Sequence, residues 1–289
     1  GGLAFLLDKT DKKLRTPADV SRTLDVRLIG TTTNVRSVGR KQIKSRVIED
    51  YQTIRANLGL LNDGGIPHKL VVTSPAPQDG KTTFAITLAW SLADSGKKVL
   101  LIDGDLRKPD IAGLLKLDKG ARGLQDVLLG TNGEHAVHST SSRGLDVLAA
   151  DSTNRTDAYE ILARGTTAGR IEEYADRYDH VIIDTPPVLA FPDALLWARM
   201  AGAVMLTSFS GRTVANDLKE AEAKLRDIGV KILGTVLTNV SPEQSYYRYG
   251  YYGYYGSDAE QSSRSIRKRA KLLMPVRNAG SNGADSNPS

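Results

Sequence analysis

The 289-residue chain contains no cysteine, which excludes disulfides, thiolate nucleophiles, cysteine-based zinc sites and iron–sulfur clusters together. Histidine is nearly as scarce. Only four are present, and two of them, His135 and His138, share one polar stretch, so a histidine-built metal centre is not expected. No apolar run approaches the roughly 18 residues that a membrane-spanning helix needs. Phenylalanine (4) and tryptophan (2) are rare, whereas tyrosine (11) is not, and seven of the tyrosines fall within residues 246–256. The rest of the composition, 40% hydrophobic and 25% charged, suits a chain that buries a core as one large or two small domains.

Charge is spread unevenly. Residues 1–48 carry eleven Lys/Arg against four Asp/Glu, a net of +7, and residues 257–289 carry six against three, a net of +3. The intervening 49–256 carries 22 against 26, a net of −4. A dedicated nucleic-acid binder concentrates positive charge on a folded face, so this pattern argues against one and no nucleic-acid partner is expected. Basic ends suit an anionic surface such as lipid headgroups; solvated tails are the plainer alternative.

Residues 1–45 read as an arm with a short helix near Pro17, and Ser45–Leu61 follows a helical apolar period that Asp63-Gly64-Gly65 stops. Apolar, β-branched runs then recur at Leu70–Thr73, Val99–Asp103, Leu145–Leu148, Val181–Asp184, Ala203–Thr207 and Ile232–Leu237. Helical stretches at Lys81–Asp94, Ala158–Arg177, Ala194–Met200 and Val214–Ile228 separate most of them. Strands apolar on both faces, alternating with helices, predict an α/β fold: a three-layer, doubly wound, mostly parallel sheet with its ligand at the strands' carboxyl ends. The expected organisation is an arm at 1–45, a P-loop domain at 46–245, a tyrosine cluster at 246–256 and a basic tail at 257–289. The composition of that tail, unable to bury a core, is expected to leave it disordered.

Three motifs carry chemistry. Ser74-Pro75-Ala76-Pro77-Gln78-Asp79-Gly80-Lys81-Thr82-Thr83, between a strand and a helix, ends as a P-loop does, with Pro75 where the pattern wants glycine. In such a loop the amides around Gln78, Asp79, Gly80 and Thr83 cradle phosphate, Lys81 reaches the β/γ oxygens and the Thr82 hydroxyl ligates magnesium. Asp103 and Asp105 follow the second strand, two residues apart, and Asp184 ends a third in the Walker B manner. Three such acids suit a hard cation bound to a triphosphate, and a spare carboxylate could take a proton from an incoming hydroxyl. A single Asp of this kind often only caps a turn. Three after three core strands is harder to explain that way.

The P-loop, Ile102-Asp103-Gly104-Asp105-Leu106-Arg107-Lys108-Pro109, Ile182-Ile183-Asp184-Thr185-Pro186-Pro187 and the tyrosine cluster together resemble the bacterial tyrosine kinases, cytoplasmic domains of polysaccharide co-polymerases. The resemblance spans about residues 15–256. It implies an ATP- and Mg²⁺-dependent tyrosine autokinase that regulates capsular or exopolysaccharide synthesis at the cytoplasmic face of the inner membrane. It implies that Lys81 and Thr82 bind ATP and Mg²⁺, that Asp103 serves at the metal and as base, that Asp105 assists and that Asp184 is the Walker B acid. Arg107 would contact phosphate or a neighbouring subunit, and the acceptors would be Tyr246, Tyr247, Tyr249, Tyr251, Tyr252, Tyr254 and Tyr255 of an adjacent copy in a ring. The family's Glu-x-x-Arg-x-x-Arg ring contact falls on Glu49, Gln52 and Arg55, with Gln52 in place of the first arginine, which removes one ion pair between subunits. Implied partners are a transmembrane co-polymerase segment or adaptor as activator and a tyrosine phosphatase. The opening Gly1–Leu7 resembles the cytoplasmic end of a transmembrane helix. A partitioning-type ATPase and a catalytically idle scaffold remain as other readings, and Arg264–Met274 could lie on an anionic leaflet as a short amphipathic piece.

Overall fold

The computed structural model describes residues 12–62, 64–117, 123–131, 135–151 and 157–242. The tyrosine cluster, the basic tail and residues 1–11 lie outside them, and with these the expectations placed on Tyr246–Tyr255 and Arg264–Met274.

Helix α1 (Pro17–Thr23) begins at a Thr16/Asp19 capping box with proline in its first turn. It leads into β1 (Leu28–Thr33), then α2 (Ile43–Leu61), β2 (Lys69–Thr73), α3 (Lys81–Asp94) and β3 (Val99–Asp103). Short helices α4 (Ile111–Leu115) and α5 (Leu124–Leu129) precede the strands β4 (Val137–Ser139) and β5 (Leu145–Leu148). The remainder alternates: α6 (Ala158–Leu162), α7 (Thr167–Ala175), β6 (His180–Asp184), α8 (Asp193–Ala201), β7 (Ala203–Phe209), α9 (Ala215–Asp227) and β8 (Lys231–Val240).

All eight strands form one sheet in the order β1-β8-β7-β2-β6-β3-β5-β4, parallel throughout except for the antiparallel β4–β5 edge. The central strands are apolar on both faces because both faces are covered. Val71, Leu100, Ile102, Val181 and Ile183 share one core with Trp197 and Leu218. The alternate residues Leu70, Val72, Leu101 and Ile182 are equally buried and face the other way, toward α2 and α3. These two helices are joined by the Tyr51 and Phe84 rings, 5.6 Å apart. The chain runs outward from β2 to β3 and β5, returns to insert β6 beside β2, and continues on the far side through β7 and β8. The crevice beyond the carboxyl end of β2 is therefore where a doubly wound sheet binds its ligand.

Three details differ from the sequence-based expectation. The segment read as an arm supplies β1, which pairs with β8 as an edge strand. Its Gly30 lies so close to α2 that a Cβ there would meet Ile54 Cγ1 at 2.7 Å. Residues 12–15 are strapped to the turn after β7, with Leu14 N–H donating to the Thr213 carbonyl (2.9 Å) and Gly211 N–H to the Leu14 carbonyl (2.7 Å). The helix expected over Ala158–Arg177 is two helices, because the chain breaks at Arg164–Thr166 and the Thr167 hydroxyl donates to the Ile161 carbonyl (2.7 Å). Finally, the polar stretch with His138 forms β4, which pairs with β5 in antiparallel register.

Candidate active site

The loop between β2 and α3 owes its shape to backbone that turns left-handed twice. Gly80 has φ +83° as the residue before α3, where glycine pays no steric cost, and Gln78 has φ +65°. The first-turn amides of α3 consequently open toward the strand ends, a ready-made anion site. The loop is anchored to its neighbours from below: Val188 N–H donates to the Ser74 carbonyl (2.9 Å), the Thr73 hydroxyl to Pro186 (2.9 Å) and the Thr185 hydroxyl to Val72 (3.0 Å). Pro75 is buried in this arrangement and needs no N–H.

Lys81 lies at the centre. Its Nζ is 3.3 Å from Asp105 Oδ2, 3.8 Å from Asp184 Oδ1 and 3.3 Å from the Thr82 hydroxyl. Burial alone would lower the Lys81 pKa, but the carboxylates of Asp184 and Asp105 outweigh it and the net shift is upward. Asp103 and Asp184 are direct neighbours in the β3–β6 register. Burial first, and then the adjacent Asp184, hold Asp103 well above the usual carboxylate range, although Ile111 N–H donates to its Oδ2 (3.0 Å). Burial likewise pushes the Asp184 carboxyl up to about 6, against the opposing pull of Lys81 and Thr82. Asp105 turns its second oxygen to Lys108 N–H (3.0 Å).

Gly104 explains how two acids flank one position. Its N–H donates to the Asp184 carbonyl (2.7 Å), and its own carbonyl accepts from the Trp197 indole (3.0 Å). A Cβ at 104 would come within 2.7 Å of that Asp184 oxygen and 2.9 Å of Trp197 Nε1. The acid-glycine-acid order is thus a packing requirement as well as a chemical one.

Two buried oxygens, Asp103 Oδ1 and Asp184 Oδ1, have no hydrogen-bond partner. Such atoms cost free energy unless something binds them. Among the described residues no three acids or histidines enclose a common metal position. Magnesium asks for less: one or two carboxylates, with phosphate and water completing its shell. Asp103, Asp184 and Thr82 fit that requirement.

The side chains of the other expected site residues lie outside the Lys81 and acid cluster. The Asp79 carboxylate, fully buried, accepts from the Thr213 hydroxyl (2.8 Å) and Ala76 N–H (3.2 Å), on the outer side of the loop. Burial raises its pKa to about 6, against the Thr213 and Ala76 hydrogen bonds. Arg107 does not point into the acid cluster; it makes a two-pronged pair with buried Asp193 (2.7 and 3.0 Å) and lies 4.5 Å over the Phe191 ring. On α2, Glu49 is exposed beside Arg46 (3.4 Å), and Gln52 is exposed. Arg55 donates to the Ser91 carbonyl of α3, so it braces two helices of its own chain. Thr83 is exposed at the helix start. Asp193, Arg212, Thr213 and Thr238 had no local signal in the sequence, because their partners in the site lie 86 to 159 residues away.

Comparison with known proteins fits this geometry. A family described as "AAA domain" matches residues 78–199, which hold the Gly80-Lys81-Thr82 end of the loop and all three acids. The chain is 36% identical over 209 residues to the tyrosine-protein kinase YwqD of Bacillus subtilis, covering 72% of this chain and 87% of that protein. The chain belongs to the bacterial tyrosine-protein kinases. Solved structures of the family agree. The chimerical protein CapA2B2 superposes with a TM-score of 0.70 at 31% identity, over 78% of this chain and 100% of that one. The kinase domain of Escherichia coli tyrosine kinase ETK gives 0.71 at 25% identity, over 79% and 96%. In this kinase, as the sequence implied, the P-loop nucleotide fold carries the site.

Proposed function

We propose that the chain transfers the γ-phosphoryl group of ATP to tyrosines 246–255 of a neighbouring copy of itself, with magnesium, in a ring at the cytoplasmic face of the inner membrane, and so regulates capsular or exopolysaccharide synthesis. The observation that carries the reading is the Lys81 ammonium held between Asp105 and Asp184 at the mouth of the loop. Those acids hold the lysine, and a triphosphate would offer it a denser negative charge. Thr82, Asp103 and Asp184 would hold magnesium, which when bound neutralises charge on the β and γ oxygens.

Phosphoryl transfer needs positioning and a proton acceptor more than covalent help. Asp103, one of whose oxygens has no hydrogen-bond partner, would take the proton as the tyrosine oxygen bonds to phosphorus and ADP departs. Asp105 keeps Lys81 aligned through its 3.3 Å contact. The seven tyrosines of 246–256 would be the acceptors. A transmembrane co-polymerase segment or adaptor would activate the kinase, and a tyrosine phosphatase would reset it. A partitioning-type ATPase would use the same cradle; kinship with tyrosine-protein kinases over most of the chain favours transfer to tyrosine.

Mixing two variants tests this. A Lys81→Met chain can only accept, and a chain with all seven cluster tyrosines changed to phenylalanine can only donate. With Mg–ATP, phosphotyrosine should appear on the Lys81→Met chain. Its absence there, while the wild-type chain labels itself, would mean transfer within one chain; no label on either refutes the kinase reading.

A further inference from the structure

The outside of the phosphate loop is held by side chains that no motif covers. Gln78 sits at φ +65°, a left-handed conformation uncommon for a residue with a Cβ. Its carbonyl accepts from Arg212 Nη1 at 2.6 Å, and that guanidinium is itself fixed 4.4 Å over the Phe209 ring. The next residue, Asp79, is gripped at both ends. Its carboxylate takes the Thr213 hydroxyl (2.8 Å), and its carbonyl shares the Thr238 hydroxyl (3.2 Å) with the Ser208 carbonyl (3.0 Å). Thr213 is buried, and its hydroxyl oxygen also accepts Phe209 N–H (2.7 Å), which aims its own proton at Asp79. Three hydrogen bonds from the ends of β7 and β8 therefore converge on two consecutive loop residues, immediately before Gly80 and Lys81.

Left to itself, a seven-residue loop with a strained non-glycine would sample several shapes, and few of them aim successive amides at one point. We infer that the turn after β7, through Arg212 and Thr213, is a positioning device that holds the phosphate loop in its nucleotide-ready shape. Both side chains act through Gln78 and Asp79. The Asp79 side chain serves on the outer side of the loop, and the part of this residue expected to cradle phosphate is its main chain. The inference rests on the reading of Ser74–Thr82 as a nucleotide-binding loop and adds the residues that preorganise it.

Titration of a fluorescent ATP analogue with magnesium into the full chain tests the device without relying on kinase activity. Thr213→Val should weaken binding about tenfold, the worth of one hydrogen bond to a charged group. Thr213→Ser, which keeps the hydroxyl, should bind within about twofold of wild type, a smaller loss than one hydrogen bond. Arg212→Ala, at an exposed position, should weaken binding several-fold. A folded Thr213→Val chain that binds as tightly as wild type overturns the inference, and so does a serine variant as weak as the valine one. Should Thr213→Val fail to fold, Arg212→Ala decides alone: wild-type affinity contradicts the device. If the wild-type chain takes up no nucleotide, the reading of the loop itself fails, and that outcome is separate from any difference among variants.

Discussion

Gly104 shows how tightly chemistry and packing are joined at single positions. Gly104→Ala would drive a methyl group against the Asp184 carbonyl and the Trp197 indole. The expected cost is about 1–3 kcal/mol, the usual penalty for overfilling a packed site. It should appear as a lower urea midpoint together with weaker nucleotide binding, since Asp103 and Asp105 flank the residue; an unchanged midpoint contradicts the packing argument. Asp79 offers a pH test. Its carboxyl is raised to about 6 by burial, so the folded chain binds a proton that the unfolded chain releases near 4. Between those two values the folded state holds more protons, and its stability therefore falls as pH rises, to a constant level above about 6. Other raised acids such as Asp50 add to the same slope, so the difference between variants is what counts. Asp79→Asn should flatten the fall in melting temperature from pH 4 to 6, and parallel curves for the two proteins would show that Asp79 does not titrate in this window.

Elements were legible in the sequence where burial is uniform. Strands β2, β3 and β6 are covered on both faces, so each reads as an unbroken apolar run ending in a polar site residue. Strand β1 has only two buried residues, a glycine and three threonines, and at the sheet edge nothing demands more. The break between α6 and α7 was hidden because amphipathic period continues on both sides of Gly165; a threonine side chain, not a proline, ends the first helix. The acids and the loop were legible because each follows its strand directly. The braces were not, since they pair residues from opposite ends of the chain. Arg107 belongs with these. It ties the loop after β3 to the first turn of α8 through Asp193, and Arg107→Ala leaves that buried carboxylate without its partner. The expected loss is about 1–3 kcal/mol, the cost of an orphaned charged group with a partly exposed partner. Arg107→Ala combined with Asp193→Asn should lose less than the sum of the two single variants in chemical denaturation; strict additivity would mean the pair is not coupled.

At the scale of the whole molecule, function couples a nucleotide-binding body to a tyrosine-rich segment. Each phosphate adds nearly two negative charges at neutral pH, and several within residues 246–255 would repel one another. Phosphorylation is therefore expected to loosen any assembly of copies, read as slower sedimentation at matched concentration; identical sedimentation of the two forms contradicts it. No helix among the described residues is long and apolar enough to cross a membrane, so membrane attachment in this account depends on a partner or on other segments. The most direct measurement is mass spectrometry of the purified chain after incubation with Mg–ATP, beside Lys81→Met. Phosphate on tyrosines 246–255 in the wild type, and none in the variant, is the result expected of a lysine seated between two acids at the mouth of a phosphate loop. A wild-type chain that binds the nucleotide yet carries no phosphotyrosine would contradict it.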